Sequence, residues 1–247
     1  MISSPELSVV MPVHNEEAAL ADVLTEAMAT LARCGLSHEL VLVDDASTDG
    51  SPAILADFQA RYPETVRVLH NSANAGIIAT CDRLYASARG KLVFVNSSDG
   101  QWKCAEVLPM LAVSDQHDLV VGRRTHKRYG TWRRIVSGMF NVLPRLLFGV
   151  DTHDAGSIKL FRREILDIPL VSRSPFREAE RIIRASQLGF RVGSVDVEHL
   201  DRRGGKASGA RWRLIARSLA DLSRFWWNTV ARKAHPPATT IPRSNLP

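Results

Sequence analysis

The strongest constraint on this chain is an alternation of two periods in its first 120 residues. Short, continuous apolar runs recur as LSVVMP (7–12), ELVLVDD (39–45), VRVLH (66–70), KLVFV (91–95) and DLVVG (118–122). A run that is apolar at successive positions reads as a strand buried on both faces. Between these runs lie segments of helical length at 16–34, 51–62 and 77–88. Strands alternating with helices predict parallel βαβ units, hence an α/β fold with a Rossmann-like, mostly parallel sheet flanked by helices.

Polar residues gather just past the strands. They are His14, Asn15 and Glu16 after the first, Asp44, Asp45, Ser47 and Asp49 after the second, and Asp99 and Gln101 after the fourth. Open α/β sheets bind ligands outside the carboxyl ends of their strands. Three clusters on that one edge therefore predict a ligand site. Ser47 and Asp49 also fit a plainer role as caps of the next helix.

Beyond Gly122 the regularity breaks. RRTHKRYGTWRR (123–134) is dense in basic side chains and leads into a long helical segment, with a kink or break expected at Pro144. DAGSIKLFRREI (154–165) reads as a loop entering a strand and then a short helix. REAERIIRASQLG (177–189) is a helix closed by glycine, and RVGSVDVEHL is a further strand. A basic, glycine-rich loop, DRRGGKASGAR (201–211), precedes an amphipathic helix with apolar residues at 212, 215, 219, 222 and 226. The Pro-rich tail after it reads as disordered.

Composition narrows the function classes. The 247 residues suit one large domain or two small ones, and 45% hydrophobic with 23% charged residues is ordinary for a soluble globular chain. No apolar run is long enough to span a bilayer, and the start does not read as a signal peptide. Cys34, Cys81 and Cys104 are too few and too scattered for a disulfide framework or zinc site, so a reducing, cytoplasmic compartment is expected. The net charge of +6 hides a split. Residues 1–120 carry seven Lys or Arg against sixteen Asp or Glu, net −9; residues 121–247 carry 25 against ten, net +15. The basic half suits nucleic acid, anionic lipid headgroups or phosphorylated small molecules. The strand-end carboxylates and the lack of a recognition motif argue against nucleic acid.

Four motifs in order and spacing carry a resemblance. VVMPVHNEE, VDDASTDGS, Asn74-Ala75-Gly76 and SSDGQ together resemble the family 2 glycosyltransferases of GT-A fold. Within that family the chain is most similar to the polyprenyl-phosphate, dolichyl-phosphate-mannose-synthase-like sugar transferases. The resemblance covers about residues 7–208. It implies a GT-A domain over 1–208, with a nucleotide-sugar half at 1–122 and an acceptor half at 123–208. The amphipathic helix at 209–234 and the tail at 235–247 follow.

The resemblance also implies roles. Pro12 and Val13 offer backbone where a base can lie. Glu16 matches an acid that contacts ribose or base, and Asp45, beside Asp44, matches the carboxylate that accepts a hydrogen from the base. Asn74, Gly76, Ser97, Ser98 and Gln101 fall on donor-binding positions. Asp99 matches the second acid of a D-x-D motif and would bind Mg²⁺ or Mn²⁺ on the donor phosphates. The first acid of that motif is Ser97, a weaker ligand without charge. Three readings follow: an active enzyme with an altered metal site, one that uses its basic loops in place of a firmly held metal, or a non-catalytic relative.

On the acceptor side, Asp151 and Asp154 compete for the family's acidic position. Arg202 and Lys206 match its closing loop, and Arg123, Arg124 and Arg128 its loop near the diphosphate. Arg162, Arg163, Arg181 and Arg184 read as solvated surface. A hydroxyl acceptor needs a base, for which Asp154 is the candidate and Glu180 a weaker one. A phosphate monoester, with its second pKa near ~6, does not. The implied reaction is inverting transfer from a nucleotide-sugar to a polyprenyl-phosphate-type acceptor at the cytoplasmic membrane face; a soluble hydroxyl acceptor is the alternative. Trp212, Phe225, Trp226 and Trp227, interleaved with Arg, suit a helix in the membrane interface. Packing of that stripe on the domain or in a dimer is the other possibility.

Overall fold

A computed structural model describes residues 4–125, 131–201 and 212–231. Seven strands form one sheet: β1 (Leu7–Val13), β2 (His38–Asp44), β3 (Val66–His70), β4 (Leu92–Val95), β5 (Leu119–Arg124), β6 (Lys159–Arg162) and β7 (Val192–Val197). Their order is β3-β2-β1-β4-β6-β5-β7. Every neighbouring pair is parallel except those made by β6, which runs antiparallel to both β4 and β5. The five strands expected from apolar runs are all present, with ends shifted by at most two residues.

The central strands are buried on both faces, as their lack of alternation requires. Val9, Met11, Leu40 and Leu42 face one apolar cluster, while Val10, Val41, Val43 and Val93 face another. Helix α1 (Glu17–Leu31) covers the first face through Leu20, Val23, Leu24, Ala27 and Leu31, spaced three and four apart. Helices α2 (Ser51–Arg61), α3 (Ile77–Ser87), the short α4 (Val107–Leu111) and α6 (Arg177–Gln187) complete the flanking layers. Gly90 is forced by close approach, because a Cβ there would lie 2.5 Å from the Ser8 amide nitrogen.

Three expectations change. Helix α5 (Thr131–Phe148) runs on through Pro144 without a break. The arginines expected to be solvated are engaged: Arg162 pairs with Asp118 at 2.9 Å, Arg184 with Glu180 at 2.7 Å, and Arg163 donates to the Ala88 carbonyl. Arg181 is only 2% exposed. Periodicity alone does not show which face of a helix a neighbour covers.

The third change concerns the terminal helix, α7 (Trp212–Trp226), which continues as a π-turn over Trp227–Ala231. Its inward face is Ser218, Leu222 and Phe225, not a stripe that includes Trp212. Phe225 is fully buried, 5.0 Å from the Phe148 ring of α5 and 6.1 Å from Phe176, with the Arg184 guanidinium 4.9 Å above it. Phe225 is thus not available to a membrane, whereas Trp212 (72%) and Trp227 (55%) stay exposed. No helix among the described residues is long and apolar enough to cross a membrane.

The docking of α7 makes a stability prediction. Phe225→Ala should cost ~3–5 kcal/mol of unfolding free energy by leaving a cavity. Trp212→Ala should stay within ~0.5 kcal/mol of the parent. Urea unfolding of both variants checks this; equal effects would contradict the docked helix.

Candidate active site

The sheet topology brings the motif loops together. After β3 the chain crosses to the other side of β1 to form β4, so the crevice between β1 and β4 is a topological switch point. β1, β2 and β4 are parallel and release their following loops on one edge. An open cleft of about 540 Å³ lies there. Its lining includes Pro12, Val13, Glu16, Asp45, Asn74, Gly76, Ser97, Ser98 and Asp99, together with His14, Asn15, Ile77 and Thr80.

Asp45 organises one wall. It is 4% exposed. Its Oδ1 accepts from the Asn71 amide at 2.7 Å and the Ala75 N–H at 2.8 Å; its Oδ2 accepts from the Gly76 N–H at 2.9 Å. Burial pushes the carboxyl up, but these bonds, with one from Thr80, outweigh it and hold Asp45 below the ordinary aspartate value. The latch closes the Asn74-Ala75-Gly76 turn ahead of α3. Gly76 adopts φ +81° there, a conformation that favours glycine. His14 adds a second tie: its Nδ1–H donates to the Asp45 carbonyl at 2.8 Å, and its Nε2 accepts from the Asn74 side chain at 3.0 Å.

The loops after β1 and β2 are stitched to each other. The Asn15 N–H donates to Ser47 Oγ at 3.0 Å, and Asn15 Oδ1 accepts from the Thr48 N–H at 2.7 Å. Asn15 (φ +54°) and Ala46 (φ +56°) sit in the left-handed region, which asparagine tolerates and alanine does not favour. Asp49 takes the plainer role and one more: it accepts from the Ser51 N–H at the start of α2 and also from the Glu17 N–H at the start of α1. Glu16, 9% exposed, is positioned by its own N–H on Ser51 Oγ at 2.9 Å.

The opposite wall is the loop after β4. Ser98 Oγ donates to the Pro12 carbonyl at 2.6 Å, tying that loop to the end of β1. Asp99, 8% exposed, accepts at Oδ1 from Ser97 Oγ at 2.5 Å and from the Gln101 N–H at 3.1 Å. No group of three or more His, Cys, Asp or Glu side chains able to hold a metal occurs among the described residues.

Several expected site residues lie outside the cleft. Asp44 accepts from the Ser47 N–H at 3.1 Å and faces His70 Nδ1 at 3.2 Å, because successive residues at a strand end point to opposite faces. Gln101 turns to the segment after β7: its carbonyl accepts from the Leu200 N–H at 2.8 Å, and its amide lies 3.2 Å from His199 Nε2. Arg123 pairs with Asp196 at 2.6 Å on the exposed side of β7. Asp154, 2% exposed, is gripped by Arg124 through Nε at 2.6 Å and Nη2 at 2.5 Å. Glu180 is buried and accepts from the Val171 and Ser172 N–H groups and from Arg184. Arg128, Arg202 and Lys206 lie outside the described residues.

Sequence reasoning missed Asn71 and the pairing of Arg124 with Asp154. Asn71 had a signal, since it is a polar residue just past β3 on the same edge. The Arg124 pair had none, because it joins positions 30 residues apart. Trp102, edge-on to His199 at 4.9 Å and 5.9 Å from the Arg124 guanidinium, joins these groups beside the cleft.

A cleft of this lining at the switch point of this sheet is that of a GT-A glycosyltransferase fold. The model of the glycosyl transferase family 2 matches residues 8–168, well over half of the chain, and the chain belongs to that family. It is 30% identical over 211 residues to undecaprenyl-phosphate 4-deoxy-4-formamido-L-arabinose transferase of Pseudomonas aeruginosa, covering 85% of this chain and 62% of the relative. It is also 30% identical over 213 residues to dodecaprenyl-phosphate galacturonate synthase of Rhizobium johnstonii, covering 83% and 62%. The chain thus spans less than two thirds of the length of these curated relatives. Among solved structures, mannosyl-3-phosphoglycerate synthase of Rubrobacter xylanophilus superposes with a TM-score of 0.71 at 17% identity, covering 98% of this chain and 80% of that one. Glucosyl-3-phosphoglycerate synthase of Mycobacterium tuberculosis, in a complex holding Mn²⁺ and UDP, gives 0.70 at 19%, covering 89% and 79%. At those identities the likeness is one of fold.

The Asp45 latch predicts an acid response. A carboxyl held below its unfolded value contributes stability that is complete above the ordinary value near ~4 and is lost as pH falls through the folded value. Asp45→Asn puts a donor in place of one accepting oxygen and should cost ~1–3 kcal/mol at neutral pH. Denaturant melts between pH 7 and 3 should show a smaller acid loss for the variant than for the parent. Parallel curves would remove Asp45 as the source.

Proposed function

We propose that this chain is an inverting glycosyltransferase that moves a sugar from a nucleotide-sugar donor to a polyprenyl-phosphate-type acceptor at the cytoplasmic face of the membrane. The observation that carries the reading is the donor-sized cleft between β1 and β4, walled by the Asp45 latch on one side and Asp99 on the other. In this reading Pro12, Val13, Glu16 and Asp45 receive the nucleoside, while Asn74, Gly76, Ser97, Ser98 and Asp99 surround the diphosphate. The named activities of the curated relatives, both on polyprenyl phosphates, support the acceptor class.

The residues present fit a divalent cation of the Mg²⁺ or Mn²⁺ kind. Mg²⁺ is commonly held by one or two carboxylates, substrate phosphates and waters, without an all-protein cage. Asp99 supplies one carboxylate at the cleft wall, and the Ser97 hydroxyl beside it adds a neutral oxygen. Bound there, the cation would offset charge on the departing diphosphate. Asp99 would hold it, Ser98 fixes the loop against β1, and the Gln101 N–H fixes the Asp99 carboxylate.

The environment of Asp154 favours a phosphate acceptor over a hydroxyl one. A hydroxyl must give up a proton as it attacks, but the buried carboxylate nearest in expectation is held in a two-point pair by Arg124. A phosphate monoester attacks without that help. The Arg124–Asp154 pair then acts as a positioning element beside Trp102, while Arg202 and Lys206 remain candidates for charge compensation at the phosphates. The outward Trp212 and Trp227, with Arg213 and Arg217 on the exposed side of the same helix, support contact with an anionic membrane surface.

Calorimetry with UDP-, GDP- and dTDP-sugars, with and without Mn²⁺, tests the donor; no binding by any would end the reading. Asp99→Ala should abolish transfer to a polyprenyl phosphate, and unchanged activity would remove Asp99 from the reaction. Ser97→Asp should steepen the dependence of activity on metal concentration. Flotation with anionic liposomes at low salt should carry the chain upward, and replacing Trp212 and Trp227 together by alanine should reduce this.

A further inference from the structure

A second cavity, of about 170 Å³, lies away from the donor cleft. Its lining includes Asp82 and Tyr85 of α3, Arg163 and Asp167 just after β6, and Arg177 and Arg181 of α6. Arg163 follows Arg162, which pairs with Leu92 at the start of β4, whereas Asp99 lies past the end of that strand. The cavity therefore opens toward the sheet edge opposite the donor cleft. Its volume far exceeds the ~10–15 Å³ that a single water needs.

Arg181 is the observation that calls for a ligand. It is 2% exposed, the largest fully buried side chain among the described residues. A guanidinium presents five N–H donors. Its Nε lacks a hydrogen-bond partner, and its nearest carboxylate, Glu178, stands at 3.6 Å with Lys159 on its other oxygen at 3.5 Å. The guanidinium lies over two rings that touch each other edge-on, 4.9 Å from the Tyr85 centroid and 5.9 Å from that of Phe161. Buried charges are ordinarily paired and hydrogen-bonded. The lining adds Arg163 and Arg177 against Asp82 and Asp167, and Asp82 is taken by Arg177 at 3.0 Å. One cation is in excess, and the least satisfied one lines an open space.

We propose that this cavity binds a phosphate-type oxyanion, gripped by Arg181 and Arg163, at a site separate from the sugar-transfer cleft. Planar guanidinium groups match phosphate oxygens in geometry as well as charge. The Tyr85 ring supports the Arg181 guanidinium and lines the same cavity. The ligand class is a free phosphate or the phosphoryl headgroup of a lipid, which share this chemistry.

The test titrates the full chain with inorganic phosphate at constant ionic strength, read by calorimetry. Saturable binding of one equivalent is expected, weakened about tenfold or more by Arg163→Gln and lost in Arg181→Met, which keeps the apolar stem. Asp99→Asn, in the donor cleft, should leave it unchanged. If Arg181→Met does not fold by circular dichroism, the half-buried Arg163 carries the test. No saturable binding, binding insensitive to Arg163→Gln, or binding lost with Asp99→Asn each overturns the proposal. A second arm uses phosphatidylcholine vesicles containing phosphatidic acid. Release of the chain from them by free phosphate identifies a headgroup ligand; phosphate binding without such release identifies the free anion.

Discussion

The site depends above all on one buried carboxylate that is satisfied from outside its own strand. Asp45 follows β2 directly, yet its oxygens are filled by the side chain and backbone of residues 71–76, which follow β3. Those bonds close the turn that starts α3 and so fix one wall of the cleft. The His14 ring, spanning the Asp45 carbonyl and the Asn74 side chain, joins the end of β1 to the same wall. Three loops separated in sequence are held at one edge because each supplies groups that another needs. A buried carboxylate that lost these donors would be costly to keep charged, so the wall and the charge stand together.

The same logic changes the meaning of the charge split. The acidic half is not an open field of carboxylates. Glu39 accepts from the Ser8 hydroxyl and the Arg89 N–H, Glu26 from the Cys104 and Ala105 N–H groups, and Asp49 caps two helices. The basic half spends part of its excess on the acidic half: Arg177 on Asp82, and Arg162 and Arg191 on Asp118. The two halves are stitched by charge across the sheet.

Most of the fold was legible because its strands are apolar on both faces, a pattern that needs no knowledge of partners. The cleft was legible for a related reason: parallel strands deliver their ends to one edge, so Pro12, Asp45 and Asp99 had to converge. What escaped was set by pairing at a distance. The antiparallel direction of β6 leaves no local trace. Asp44 and Asp45 look equivalent in a motif, but a pleated strand end points them apart, and only Asp45 reaches the cleft. Arg181 looks like any helix-surface arginine until α6 is packed over Tyr85 and Phe161. Phe225 lay off the 212–226 apolar spacing and was grouped with the aromatics suited to a membrane interface, whereas α5 and Phe176 take it inward.

The serine at the first acidic position of the metal motif takes a defined meaning from this geometry. Two carboxylates set 2.5 Å apart would repel and would need a cation or a shared proton to stay together. Ser97 instead donates to Asp99, so the wall is stable with nothing bound. The hydroxyl rotor can turn its lone pair toward an incoming cation, which a donor to Asp99 does at the loss of one neutral-to-charged hydrogen bond. Metal affinity in the bare cleft should then be low and should rise when donor phosphates supply the missing oxygens. On the proposed reading Asp99 and Ser97 would hold a cation chiefly together with the donor phosphates, and the Gln101 N–H fixes the Asp99 carboxylate at the cleft wall.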